Sequence, residues 1–299
     1  MNRDGHDRFA NVGRFLHRYD VHPRRWLLGR QSYSRFLGYV KPHLLDIPPQ
    51  EYRIRRHLLA LGWEARQLKA PIGKRIVAVS PHPDDETIGA GGLLLAHGDI
   101  ADIHLICLTD GESGGALESG LITPVDIAKE RQAEAQLAAQ KIHAKSVQFC
   151  HWPDGDLKCT HEMVTQLRSL VTKLKPDVVT LPWFLDGHPD HRMANLLYAT
   201  ACSMLDCVVL AYEIWTLLDP NAIFDITERL EQKLDLIGCY KSQLRTVDYL
   251  NYAQGLARIR AYHSPINLKR SGAVEAYIAL PNRDYCDLVL TLSNESTIR

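Results

Sequence analysis

The sequence predicts an α/β fold: a Rossmann-like, doubly wound, mostly parallel sheet with helices on both faces, plus a helical N-terminal extension. Three observations predict it. From Lys74 to Tyr212, short runs rich in Val, Ile and Leu alternate with helix-length segments, the pattern of strands joined by right-handed crossovers. Those runs are apolar from end to end, as strands buried on both faces are. Every His and Asp cluster worth naming follows one of the runs, at the sheet edge where α/β folds gather their ligands.

The first element is the least regular. Residues 1–70 carry Phe15, Tyr19, Trp26, Leu27, Leu28, Tyr33, Phe36 and Leu37 scattered among arginines, then a helical face over Glu51–Ala65 after the break at Ile47-Pro48-Pro49. This stretch reads as a basic helical extension, with residues 71–299 as the catalytic domain. The first strand is Ile76–Ser80, and a helix over about Glu86–His97 follows it. The second strand, Ile103–Leu108, leads into a glycine-rich loop, Thr109 to Gly115. A helix opens at Pro124 and reaches about Gln140. The third strand is Ser146–Phe149, then a turn His151-Trp152-Pro153-Asp154-Gly155-Asp156 and a helix over Thr160–Leu174. The fourth strand is Asp177–Leu181, with a loop to Pro189 and a helix from His191 to Met204. The fifth is Cys207–Tyr212. One helix is expected over Asp225–Leu244 and one more strand over Ala276–Leu280.

Composition narrows the class. The net formal charge is zero over 299 residues, but it is unevenly spread. Residues 1–75 hold 16 Lys/Arg against 6 Asp/Glu, and the rest hold 19 against 29. A basic head can meet an anionic substrate or membrane surface, or dock on the acidic body of its own protein. No nucleic-acid partner is expected, and a homo-oligomer stays open. The seven cysteines form no C-x-x-C pair, which argues for reduced thiols and a cytoplasmic setting. No apolar run approaches the roughly 20 residues of a bilayer span, and no leader pattern is visible.

The chemistry concentrates in two loops. After the first strand comes Pro81-His82-Pro83-Asp84-Asp85-Glu86, and after the fourth comes Asp186-Gly187-His188-Pro189-Asp190-His191. Adjacent carboxylates in one stiff turn repel unless a cation or a shared proton relieves them. Nitrogen and oxygen donors with an open position describe a catalytic Zn²⁺ site, and two histidines with one carboxylate also suit Fe²⁺. His97, His104, His143 and His161 read as ordinary structural residues.

Together these motifs resemble the PIG-L/LmbE-like family of zinc-dependent N-acetylglucosaminyl deacetylases. Weaker matches extend the resemblance over about residues 74–280. They include Thr109-Asp110-Gly111-Glu112, Arg131 with Glu134, Pro153-Asp154-Gly155 and Tyr212-Glu213-Ile214-Trp215. The resemblance implies hydrolysis of an N-acetyl amino sugar or glycoconjugate to acetate and a free amine, and the basic head favours an anionic or lipid-linked one. It implies His82, Asp85 and His191 as metal ligands and Asp84 as general base. It makes His188 the group that steadies the oxyanion, a task a protonated ring near the carbonyl would perform, and places Arg131 and Asp154 on the sugar hydroxyls. Asp186 stands where many relatives carry a tyrosine that donates to the oxyanion. It enters the candidate site as a substrate-side residue or as a support for His188.

The same residues admit three rival readings. Gly111-Glu112-Ser113-Gly114-Gly115 fits G-x-S-x-G, but a nucleophile elbow needs a helix directly behind the serine, and Pro124 is the first helix start. A metal-dependent phosphoesterase, or an amidase on another small substrate, shares the His and Asp vocabulary; most such phosphoesterases need carboxylates for two ions. The third is a homologue that binds sugars without turning them over.

Overall fold

The computed structural model describes residues 65–114, 123–264 and 272–296. The expected helices of the basic head lie outside the described residues, as does the glycine-rich loop beyond Gly114.

Eight strands form one sheet: β1 Arg66–Leu68, β2 Arg75–Ser80, β3 Asp102–Thr109, β4 Ser146–Trp152, β5 Val178–Pro182, β6 Val208–Tyr212, β7 Ala222–Asp225 and β8 Val274–Pro281. Their order is β1-β7-β8-β6-β5-β2-β3-β4. All neighbours run parallel except at β8, which is antiparallel to both β6 and β7. β2 lies at the centre, paired in register with β3 (Val77↔His104) and with β5 (Ile76↔Val178). With strands on both sides and helices on both faces, Ile76 to Val79 are fully buried. Their unbroken apolarity follows from that position.

The helices are α1 Asp85–His97, α2 Pro124–Ile142, α3 His161–Leu174, α4 Pro189–Cys202, α5 Leu230–Ile237, α6 Lys241–Leu244, α7 Tyr249–Tyr262 and α8 Asn282–Ser296. α3, α4 and α8 pack on one another over one face of the sheet, while α1, α2, α5, α6 and α7 form the opposite layer. Local chemistry sets several starts. Thr123 and Asp126 close a reciprocal capping box around Pro124 at the head of α2. α1 approaches the sheet unusually closely, because a Cβ on Gly89 would stand 1.9 Å from the Tyr212 ring.

Two expectations change. Asp225–Leu244 is not one helix. It divides into the end of β7, a 3₁₀ turn over Thr227–Arg229, then α5 and α6. The Asp225 carboxylate takes the Thr227 N–H at 2.9 Å and ends the strand. Tight turns at Gly238, Cys239 and Tyr240 end α5. Arg66–Leu68, placed in the extension on sequence, pairs with β7 as the edge strand.

The connectivity explains where the site must be. From β2 the chain winds through β3 and β4 to one side, then returns to lay β5 and β6 on the other. The direction of winding reverses between β2 and β5, and a crevice opens beyond their carboxyl ends. The His82 loop leaves β2 there and the His188–His191 loop leaves β5, so residues more than a hundred positions apart meet.

Candidate active site

The turn after β2 delivers three side chains to this crevice. Asp84 stands at φ 133°, outside the conformations L-residues favour, a strain of order 1–3 kcal/mol that functional turns often hold. Asp85 is the first residue of α1, and its Oδ2 takes the His82 backbone N–H at 2.9 Å. The Asp85 carboxylate thereby lies between two imidazoles. His82 Nδ1 is 3.2 Å from Oδ2 and His191 Nε2 is 3.3 Å from Oδ1.

Each imidazole is backed by carboxylate on its other nitrogen. His82 Nε2 lies 3.1 Å from both Asp154 Oδ1 and Asp190 Oδ2. His191 Nδ1 lies 3.0 Å from Asp186 Oδ1. Neither ring nitrogen of His191 is aligned with its neighbour as a hydrogen bond, although both are buried. Nitrogens of His82, His188 and His191 also fall within 4.8 Å of one another.

Electrostatics follow from this crowding. Burial opposes charge on His82, yet Asp154, Asp190 and Asp85 outweigh it and hold its pKa well above the usual imidazole value. Burial likewise opposes charge on His191, and the Asp85 and Asp186 carboxylates lift it to about 9. Burial pushes Asp84 up to about 7, against the pull of the Arg131 guanidinium and with the help of Asp85. Asp85, Asp154, Asp186 and Asp190 therefore gather around the His82 and His191 rings, while Asp84 alone contacts the permanent cation Arg131. Such a site favours positive charge between the rings, from protons or from a metal ion. Buried nitrogens without aligned partners beside a shared carboxylate fit the metal.

His188 differs from its neighbours. Its Nδ1 accepts the Asp190 backbone N–H at 3.1 Å, so that nitrogen carries no proton and the ring is neutral with Nε2–H. Burial, then the charges of His82 and His191, lower its pKa. The protonated His188 of the sequence reading gives way to a neutral one for this reason.

The remaining expected residues divide. Arg131 is buried, and its Nη2 donates to the Pro83 carbonyl at 2.7 Å and to Asp84 Oδ1 at 3.1 Å, while Nη1 donates to the Gly111 carbonyl. Added Cβ atoms on Gly111 (φ +67°) and Gly114 would stand 2.5 and 2.3 Å from this guanidinium. The loop glycines thus make room for Arg131. Ser113 donates its hydroxyl to the Asp154 carbonyl at 3.1 Å. Asp154 borders the cavity; Asp186 does not. Asp186 is fully buried behind His191, so the substrate-side position expected of it is not where it lies.

The cavity holds about 210 Å³ and is lined by His82, Asp84, Asp85, Arg131 and His188 on the polar side. Ile88, Ile214, Trp215 and Tyr249 form an apolar side, of a kind that suits the apolar face of a sugar ring. Sequence reasoning missed Asp190 and Tyr249 as site residues. Asp190 could have been found between the two histidines of its motif. Tyr249 carries no local signal.

Residues 77–202 match the family model described as PIG-L: GlcNAc-PI de-N-acetylase. The chain is 28% identical over 189 residues to a diacetylchitobiose deacetylase of Thermococcus kodakarensis, spanning 57% of this chain and 70% of that protein. It is 25% identical over 256 residues to a 1D-myo-inositol 2-acetamido-2-deoxy-α-D-glucopyranoside deacetylase of Mycobacteroides abscessus, spanning 73% and 91%. Among solved structures, the fold is similar to N,N′-diacetylchitobiose deacetylase from Pyrococcus horikoshii. The TM-score is 0.63 at 23% identity, covering 81% of this chain and 96% of that one.

Proposed function

We propose that this chain, which carries a PIG-L family domain, is a metal-dependent hydrolase that removes the N-acetyl group from an N-acetyl amino sugar. The products are acetate and a free amine. One observation carries the reading furthest: His82 Nδ1 and His191 Nε2 flank the two oxygens of a single carboxylate, Asp85, at 3.2 and 3.3 Å. Each ring is backed by carboxylate on the nitrogen that faces away, so two nitrogens and one carboxylate are free to share one ion. That donor set suits catalytic Zn²⁺, and it accepts Fe²⁺ as well. Bound there, such an ion polarises an amide carbonyl and lowers the pKa of water toward neutrality.

The chain's own residues do the rest. Arg131 holds Asp84 through Oδ1, which leaves Oδ2 to take the proton from the attacking water. Asp84 then delivers that proton to the sugar nitrogen as the C–N bond breaks. A pKa of about 7 suits a group that must both accept and return a proton near neutrality. His188, neutral, donates Nε2–H to the carbonyl oxygen as negative charge builds there. Asp154 and Arg131 border the cavity, where each can meet a sugar hydroxyl, while Ile214, Trp215 and Tyr249 can cover the ring's apolar face.

The names of the two relatives, one acting on a disaccharide and one on an inositol glycoside, support a glycoside-borne amino sugar as substrate. The basic head supports an anionic or lipid-linked version of it, in a cytoplasmic setting. Among the described residues no helix is long and apolar enough to cross a membrane. The test is acetate and amine release from a panel of N-acetyl amino sugars by zinc-loaded protein. Activity should vanish on chelation and return with the metal. A metal-loaded protein inert on the whole panel would overturn the proposal.

A further inference from the structure

We propose that Asp186 is the positioning residue for His191. It holds the proton on Nδ1 and so leaves the Nε2 lone pair facing the cation position beside Asp85. This rests on the metal-site reading above and goes beyond it, because it assigns a task to a residue that neither lines the cavity nor reaches the substrate.

Asp186 is held on all sides. Its side chain is fully buried, and Oδ2 accepts the backbone N–H groups of Trp215 at 2.9 Å and Thr216 at 3.1 Å. Oδ1 accepts the His188 backbone N–H at 3.0 Å and faces His191 Nδ1, also at 3.0 Å. Three backbone donors and one ring nitrogen in ion-pair contact thus converge on one carboxylate. An ionised carboxylate can only accept, and the Asp186 pKa is lowered, so a nitrogen 3.0 Å from its oxygen is favourably placed only with hydrogen on it. An imidazole with hydrogen on Nδ1 must, when neutral, carry its lone pair on Nε2. That is the atom facing Asp85 at 3.3 Å.

The two histidines differ in how strongly they depend on such support. His82 has two carboxylates, Asp154 and Asp190, behind one nitrogen, so removing either leaves the other. Behind His191 Nδ1, Asp186 is the one carboxylate among the described residues. Carboxylate–imidazole–metal arrangements of this kind change metal affinity by about 10–100-fold when the outer partner is altered. Asp186 also links His191 to the Trp215 backbone, so the metal-facing ring and the apolar wall of the cavity share one anchor.

The substitution that isolates this role is Asp186→Asn. The side chain keeps its shape, but an amide has one accepting oxygen where the carboxylate has two. If the oxygen serves Trp215 and Thr216, the amide N–H₂ faces both the His188 N–H and His191; only an unprotonated Nδ1 can accept from it, so the ring's proton moves to Nε2. The 3.0 Å contact is not aligned along the ring N–H axis, so the tautomer is the decisive readout. Zinc affinity would be measured by competition with a chromophoric chelator, and the His191 tautomer by long-range ¹H–¹⁵N correlation on the metal-free protein at a pH where the ring is neutral. The visible spectrum of the cobalt(II)-loaded protein and the melting temperature of the metal-free form complete the set.

The expected result is zinc binding weakened about 10–100-fold, loss of the Nδ1–H form of His191 and an altered cobalt spectrum. A variant with a lower metal-free melting temperature but unchanged zinc affinity and tautomer would overturn the proposal, leaving Asp186 a loop anchor only. Asp186→Glu, which keeps the charge, should retain the Nδ1–H tautomer; if it loses metal as fully as Asn with that tautomer intact, positioning through Nδ1 is refuted. A wild-type protein that takes up no zinc would instead defeat the metal-site reading itself, so the two failures are distinct.

Discussion

Asp84 and Asp85 are the same residue twice in the sequence, and the backbone separates their tasks. Asp85 opens α1, and its carboxylate turns back to the His82 backbone N–H. Asp84 precedes the helix at φ 133° and meets Arg131 instead. Asp84→Asn should therefore keep the Oδ1 contact with Arg131 and the full metal content, yet lose kcat by at least about 100-fold, the usual scale for a general base. Turnover and elemental analysis on the same preparation check this; unchanged turnover would remove Asp84 from the base role. The motif pointed to both residues, because paired carboxylates beside a histidine in a strand-to-helix turn imply a cation. It could not point to Asp190 in the same way. That carboxylate reaches His82 Nε2 while also taking the N–H groups of Gly155 at 2.7 Å and Leu157 at 3.2 Å from another loop, and such convergence exists only after folding.

α1 is where an element's chemistry can be read at both ends. Its first turn carries the site, and its last carries His97, which is fully buried. His97 Nδ1–H donates to the Leu93 carbonyl at 2.7 Å, and Nε2 accepts the Ile72 N–H at 3.1 Å. Both nitrogens are thus committed in the neutral ring. Burial lowers the pKa, and the nearby Arg229 charge adds to it, against the pull of the Leu93 carbonyl. The sign of the linkage follows directly. The folded pKa is below the unfolded one near 6.5, so on acidification the unfolded chain takes up a proton first. Stability contributed by His97 should fall as pH drops below about 6.5, by at most about 1.4 kcal/mol per pH unit. Glutamine can make both contacts without titrating. Between pH 7.5 and 5.5, urea midpoints of the wild type should therefore fall further than those of His97→Gln, and parallel losses would show that another group titrates. The strands buried on both faces were legible because apolar runs without alternation have one explanation. β7 was not. Ala222 to Asp225 is four residues long and owes its place to pairing with β1 and β8, which no local pattern announces. α7 was equally silent, since Gly255 interrupts it and only Tyr249, Ala253 and Ala257 of its residues are buried.

Across the whole molecule, the sheet order turns two loops more than a hundred residues apart into one site, and this much was legible from strand alternation alone. The antiparallel insertion of β8 between β6 and β7 was not, because strand direction is set by the path of the intervening chain. Charge is the other property of the whole. Residues 1–63 hold 12 Lys/Arg against 5 Asp/Glu, and residues 64–299 hold 23 against 30. A head of that sign would raise the local concentration of an anionic substrate, an effect that salt would screen over about 10 Å at 0.1 M. Testing it requires a cut that spares the sheet. Arg66–Leu68 pairs with β7 in register Arg66↔Ala222, so a deletion reaching residue 70 would remove an edge strand together with the charge. A chain starting at Glu64 keeps that strand. It should turn over a neutral N-acetyl amino sugar with kcat/KM unchanged. On a phosphorylated N-acetyl sugar it should lose several-fold, and raising the salt from 0.05 to 0.5 M should bring the full-length protein down to the same level. Equal losses on neutral and phosphorylated substrates, or a loss that salt does not reproduce, would mean that the head acts through something other than its charge.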